Sequence, residues 1–146
     1  MASTPSPFFL IHPLNKLSAR RMAEALKKTD LTVSQHMVLY LLSQHEPCCS
    51  ADLAKWSYMT AQGMGEYIRT LEQRELVAKA DAAPAGRAIL LERTKQGKDL
   101  FNLNKQLIKQ CEVEFLDRLS ADDRHRLMAM LGSLRETEAS REELVP

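Results

Sequence analysis

Apolar residues recur along most of the chain at three- and four-residue steps, which is the period of amphipathic helices, and the pattern breaks once, between residues 50 and 93. Residues 50–56 (SADLAKW) open on a capping-type serine and carry Leu53 and Ala54 on one face. Ser57, Tyr58 and Met59 interrupt that pattern, and a second helix is predicted from about Thr60 to Arg74, with Met64, Ile68 and Leu71 as its apolar stripe. Gln62, Gly63, Glu66, Arg69 and Thr70 are left on its other flanks. After Leu76, residues 77–80 and 88–91 have strand character, and residues 81–86 (DAAPAG) between them are turn chemistry. Helix, tight turn, helix and hairpin outline a winged helix-turn-helix.

The flanking segments follow the helical period. Residues 1–7 (MASTPSP) are small, polar and proline-rich, and are expected to be a flexible lead-in. Pro13 suits the first turn of a helix whose inward face is Leu14, Leu17, Met22, Ala25 and Leu26, ending near Lys28. Thr32 and Gln35 have the capping-box spacing for a second helix, with Met37, Val38, Leu41 and Leu42 as its face, that stops before Pro47. Thr94 is a cap for a long fifth helix carrying Leu100, Leu103, Leu107, Cys111, Phe115 and Leu119 in one stripe. Ser120 with Asp123 opens a sixth, striped by Leu127, Met130, Leu131 and Leu134, and the charged tail beyond Thr137 is expected to fray. The fold class expected is mainly α with a small β-hairpin wing.

The blocks LTVSQHMVLYLL, SADLAKW, TLEQRELV and GRAILLERTKQG stand in an order and spacing that resemble the MarR (multiple-antibiotic-resistance regulator) family of winged helix-turn-helix transcription factors. The resemblance is close over residues 31–107 and looser in the flanking helices. It implies three parts: residues 1–30 as lead-in and dimerisation helix, 31–93 as the DNA-binding module, and 94–146 as C-terminal dimerisation helices and tail. Three positions depart from the family pattern. Glu75 stands where a glycine is usual, Ala85 where an aspartate commonly precedes Arg87 by two, and Glu66 where a basic or hydroxyl residue is common. The first, fifth and sixth helices carry more apolar surface than the small winged module can cover, so the expected state is a homodimer, with a monomer whose terminal helices fold back as the alternative.

The chain's 146 residues and 45% apolar content suit a single globular protein with no span long enough to cross a bilayer, and the expected location is the cytoplasm. Three cysteines, two of them adjacent, do not make a secreted disulfide framework. A net charge of +1 neither demands nor forbids nucleic acid, although Lys16, Arg20, Arg21, Lys27 and Lys28 cluster with only Glu24 to oppose them. The sequence contains no phosphate-cradling glycine loop, nucleophile-elbow serine or paired-histidine metal motif, so an enzyme is not expected, and no cofactor or metal is assigned.

In a helix-turn-helix the N-terminal part of the second helix meets base edges, which here selects Thr60, Ala61, Gln62 and Gly63, with Arg69 and Thr70 further along near phosphate or base. Gln62 can donate and accept toward adenine. Lys79 and Lys55 suit phosphate contacts, and the resemblance assigns Arg87 to the minor groove. It also implies a small aromatic acid bound between dimerisation helices and winged module. His12, Arg20, His36 and Tyr40 are candidates to line that cleft, with Arg20 or His36 meeting the carboxylate. Cys48 and Cys49, beside His45, read as packing, as a redox pair or as a metal cluster. The expected function is a dimeric DNA-binding transcriptional regulator, a repressor reading a palindromic operator. The alternatives are a thiol-based redox sensor and, given Glu66, Glu75 and Ala85, a winged-helix interaction protein with little DNA affinity.

Overall fold

The computed structural model describes residues 4–81 and 88–143, with side chains as far as residue 141. It forms two compact units, residues 1–111 and 112–146. The first contains α1 (Pro7–Leu26), a 3-10 turn (Lys27–Thr29), α2 (Val33–His45), β1 (Cys48–Cys49), α3 (Ser50–Ser57), α4 (Ala61–Gln73), β2 (Val77–Lys79), β3 (Leu90–Arg93) and most of α5 (Lys95–Phe115). The end of α5 and all of α6 (Ala121–Glu143) belong to the second. This is the expected class, mainly helical with a small antiparallel sheet.

Side-chain caps set the helix starts. Thr32 and Gln35 form the full capping box of α2, Thr32 Oγ1 accepting from the Gln35 N–H at 3.1 Å and Gln35 Oε1 from the Thr32 N–H at 3.0 Å. Thr60 Oγ1 accepts from the Gly63 N–H at 3.1 Å to open α4, and Ser120 does the same for Asp123 at the start of α6. Thr94 Oγ1 accepts from the Gly97 N–H at 3.0 Å and donates to the Glu75 carbonyl at 2.6 Å, so one hydroxyl caps α5 and ties it to the turn after α4.

Helices α2, α3 and α4 and the sheet build the core of the first unit. Val38, Leu39, Leu42, Leu53, Met64, Leu71 and Val77 are almost wholly buried there, with Phe101 of α5 closing one side. The sheet order is β1-β3-β2, all antiparallel, pairing Cys48 with Leu91 and Val77 with Arg93.

Several expectations need correction. The sheet has a third strand, Cys48–Cys49, because the two residues before α3 are extended and pair with β3. The second hairpin strand is Leu90–Arg93 rather than residues 88–91. Helix α1 starts at Pro7, which takes the first-turn position, and Pro13 lies inside the helix. Of the inward face expected on α1, only Leu26 is buried within the chain, while Leu14 and Leu17 are 49% and 45% exposed. On α5 the buried stripe is Gly97, Phe101, Asn104 and Ile108, whereas Leu103 is exposed and Leu119 lies beyond the helix end. Helix α6 continues past Thr137 to Glu143, and Met130, Leu131 and Leu134 on its stripe are exposed.

Candidate nucleic-acid interface

The turn between α3 and α4 is made by Tyr58, whose φ of 57° places it in the left-handed region, with its N–H closing on the last carbonyls of α3. Thr60 then caps α4. Met64, Ile68 and Leu71 turn inward at four- and three-residue steps, which puts Gln62, Glu66, Arg69 and Gln73 on the opposite, exposed face at the same spacing. Thr60 and Ala61 are exposed at the start of this face, and Gly63 is half-buried beside the cap. Thr70 is half-buried, and its hydroxyl donates to the Glu66 carbonyl at 3.0 Å. At the far end Arg74 donates to the Thr29 carbonyl at 3.1 Å and to that of Asp30, fastening α4 to the loop before α2.

Lys79 is exposed at the end of β2, opposite Leu91. Lys55 is exposed on α3. Arg87 and Ala85 fall outside the described residues. The structure therefore gathers Thr60, Ala61, Gln62 and Arg69 on one outward surface of α4, with Lys79 on the adjoining strand.

A polar network that sequence reasoning missed joins the end of α2 to β3. Glu46, just after α2, accepts from the Arg93 side chain at 2.9 and 3.1 Å and from the Arg93 backbone N–H at 2.9 Å, and Lys98 stands 4.0 Å away. Burial pushes the Glu46 carboxyl up, but the hydrogen bonds and charge of Arg93, helped by Lys98, outweigh it and hold it below the ordinary value. The Arg93 guanidinium lies 5.2 Å from the centre of the Phe101 ring, and Phe101 stacks on His36 at 5.3 Å. The base of the hairpin is thus tied to the end of α2 and the first turns of α5. An acid and a base 47 positions apart give no local sequence signal.

The residues expected to line a ligand cleft differ in exposure. His12 and Arg20 are exposed on α1, Tyr40 is 37% exposed on α2, and His36 is buried. Among the described residues no hydrogen bond, ion pair or ring contact joins any two of them. Burial pushes the His36 imidazole down to about 4, so it is neutral near pH 7 and offers a carboxylate a hydrogen bond rather than a charge. His36 Nδ1 and Asn104 Nδ2 are both buried without a hydrogen-bond partner among the described residues, and Asn104 Oδ1 accepts from the Thr29 hydroxyl at 2.7 Å.

Cys48 and Cys49 differ in environment because neighbouring strand residues face opposite ways. Cys48 sits in the core, where burial, followed by the charges of Asp52, Cys49 and Glu46, raises its thiol to about 11 and keeps it protonated. Cys49 is half-buried at the N-cap of α3, its thiol donating to Asp52 Oδ2 at 3.1 Å. His45 packs its ring against Trp56, the centres 4.2 Å apart and the planes tilted by 31°.

A capped helix presenting a polar face beside an antiparallel hairpin, on a core of three helices, defines a winged helix-turn-helix protein. Residues 29–88 match the model of the MarR family, and the chain's similarity to MarR-family proteins of known structure supports that family. It is 26% identical over 126 residues to the HTH-type transcriptional repressor Rv2887 of Mycobacterium tuberculosis, covering 86% of this chain and 91% of that one. The crystal structure of Rv2887 with salicylic acid superposes with a TM-score of 0.77 at 25% identity, covering 92% of this chain and 99% of the other. The Rv2887 complex with DNA gives a TM-score of 0.77 at 24% identity, over 90% and 98% of the two chains.

Proposed function

We propose that this chain is a dimeric DNA-binding transcriptional regulator, a repressor that lays α4 of each copy into successive major grooves of a palindromic operator. The observation that carries the reading is the outward face of α4, which runs from a capped N-terminus with Thr60, Ala61 and Gln62 to Arg69, on a helix whose other side is locked into the core; Gly63 and Thr70 flank it as further contacts. A related repressor of known structure in complex with DNA supports it. Two such helices enter one side of a duplex when they stand about 34 Å apart, which a two-fold pair provides. The uncovered apolar surface of α1, with Phe8 81% and Phe9 80% exposed, suits that pairing. Lys79 and Arg87 supply backbone and minor-groove charge.

Affinity is set by a small aromatic acid whose ring enters apolar surface near α1 and α2 and whose carboxylate meets Arg20, with His12, His36 and Tyr40 as further contacts. The salicylic acid complex of the related protein supports this class of ligand. A second reading rests on Cys49, the residue at the N-cap position of α3, whose half-buried thiol donates to Asp52 Oδ2 in the first turn: its oxidation would disturb the helix-turn-helix directly.

The test is binding of the purified chain to its own upstream duplex, followed by fluorescence anisotropy over a range of salt, with light scattering for the oligomeric state. A dimer is expected, with affinity falling steeply as salt rises. Gln62→Ala should relax sequence preference, and Lys79→Ala should weaken all duplexes alike and lower the salt slope by about one. Salicylate should release the duplex from wild type and from Cys49→Ser equally. Release by peroxide alone, abolished in Cys49→Ser, would favour the thiol. A stable monomer that ignores DNA at low salt would refute the proposal.

A further inference from the structure

The centre of the outward face of α4 is an acid. Buried Met64, Ile68 and Leu71 fix the helix orientation, and Glu66 lies directly opposite them, one turn after Gln62 and three residues before Arg69. It is exposed, and its carboxylate has no hydrogen bond or ion pair among the described residues. Arg69, at the spacing where helical acid–base pairs commonly form, is not engaged with it. The Glu66 backbone carbonyl, not its carboxylate, accepts from the Thr70 hydroxyl at 3.0 Å. Glu66 therefore has no role inside the fold, and both charges remain available to something outside it.

A carboxylate on a helix that enters a major groove faces a field set by phosphates, which repels it whatever the sequence. Base edges then decide where it is tolerated. Guanine presents two acceptors and thymine a carbonyl, all of which repel a carboxylate; adenine places its amino group beside the N7 acceptor. Cytosine alone presents an amino donor with no acceptor next to it. Resting on the DNA-binding reading above, we propose that Glu66 is a specificity-determining residue whose carboxylate accepts from the exocyclic amino group of a cytosine in each half-site. It acts chiefly by rejecting the other bases at that position, and Gln62 and Arg69 read on either side of it.

The test is selection from a randomised duplex library with full-length wild type, Glu66→Gln and Glu66→Ala, followed by affinities for the selected sites. Wild type is expected to select one cytosine per half-site that both variants cease to require, and to lose roughly five- to hundredfold in affinity when that cytosine is replaced. The variants should bind unrelated duplexes more tightly than wild type, because a repelling charge has gone. Replacing the selected cytosine by 2-pyrimidinone, which lacks the amino group, should weaken wild type but leave Glu66→Ala unaffected. The thermal midpoint should not move, since the side chain supports nothing in the fold. An identical motif in all three proteins overturns the proposal, including the case where the variants gain affinity uniformly and Glu66 only repels phosphate. Failure of wild type to bind any duplex at low salt would instead refute the DNA-binding reading, and this inference with it.

Discussion

Glu75 holds a φ of 58°, in the left-handed region that a residue with a Cβ enters at a cost of roughly 1–2 kcal/mol. The chain accepts that cost because it must reverse after α4: the Glu75 N–H reaches the Glu72 carbonyl, the Leu76 N–H reaches that of Leu71, and the Glu75 carbonyl receives the Thr94 hydroxyl. Glycine is usual there in the family that the sequence resembles, and the geometry explains why. Glu75→Gly is expected to raise unfolding stability in urea by roughly 0.5–1 kcal/mol, the gain reduced by the extra freedom of glycine in the unfolded chain. The opposite holds at Gly97, where an added Cβ would lie 2.0 Å from the Leu76 carbonyl oxygen. Backbone on both sides cannot yield easily, so Gly97→Ala should cost about 3 kcal/mol or more in the same assay. If Gly97→Ala unfolds like wild type, α5 does not press on the turn as described.

Between elements, the pair Glu46–Arg93 joins α2 to β3, with side chains only 20% and 12% exposed. Arg93→Met should therefore cost about 2 kcal/mol, since it leaves a half-buried carboxylate with only Lys98 near it. Adding Glu46→Gln should recover part of that loss, because a neutral amide is cheaper to strand. A double-mutant cycle on urea unfolding checks this, and strictly additive losses would show that the pair is not coupled. This link, like the stripe of α5, was hidden from sequence reading for a physical reason. Periodicity registers apolar residues, and the buried stripe of α5 has Asn104 at its centre and Gly97 at its start, so the more apolar Leu100–Leu103–Leu107 series looked like the inner face. The caps at Thr32, Thr94 and Ser120 were legible because each depends on a contact three residues away, whereas Ser50, read as the capping residue of α3, is its first helical residue and Cys49 stands at the N-cap. Strand β1 was not, since two residues carry no alternation and are extended only because β3 lies alongside.

At the scale of the whole molecule, the outward face of α4 was legible because its inward stripe was, whereas the state of His36 required the fold. Its imidazole lies in a helical stripe of otherwise apolar residues, against Phe101 and with Nδ1 unpartnered, and burial holds it at about 4 instead of the ordinary 6.5. The folded chain therefore stays unprotonated at His36 in a range where the unfolded chain takes up a proton. Stability from this residue is complete above about pH 6.5, falls as pH drops through 6.5 toward 4, and by pH 4 is lower by on the order of 3 kcal/mol. Glu46 has the same sign in a different window. Its carboxyl is held below the ordinary value, so its contribution is present above the usual carboxylate range and is lost only as pH falls through and below that range. Urea unfolding between pH 7 and pH 5 should thus report chiefly His36. His36→Phe, which keeps a ring against Phe101 and removes the titrating nitrogen, should flatten the dependence in that interval while leaving the steeper loss below it. An equal slope in wild type and His36→Phe between pH 7 and pH 5 would mean that the imidazole is not held neutral by burial.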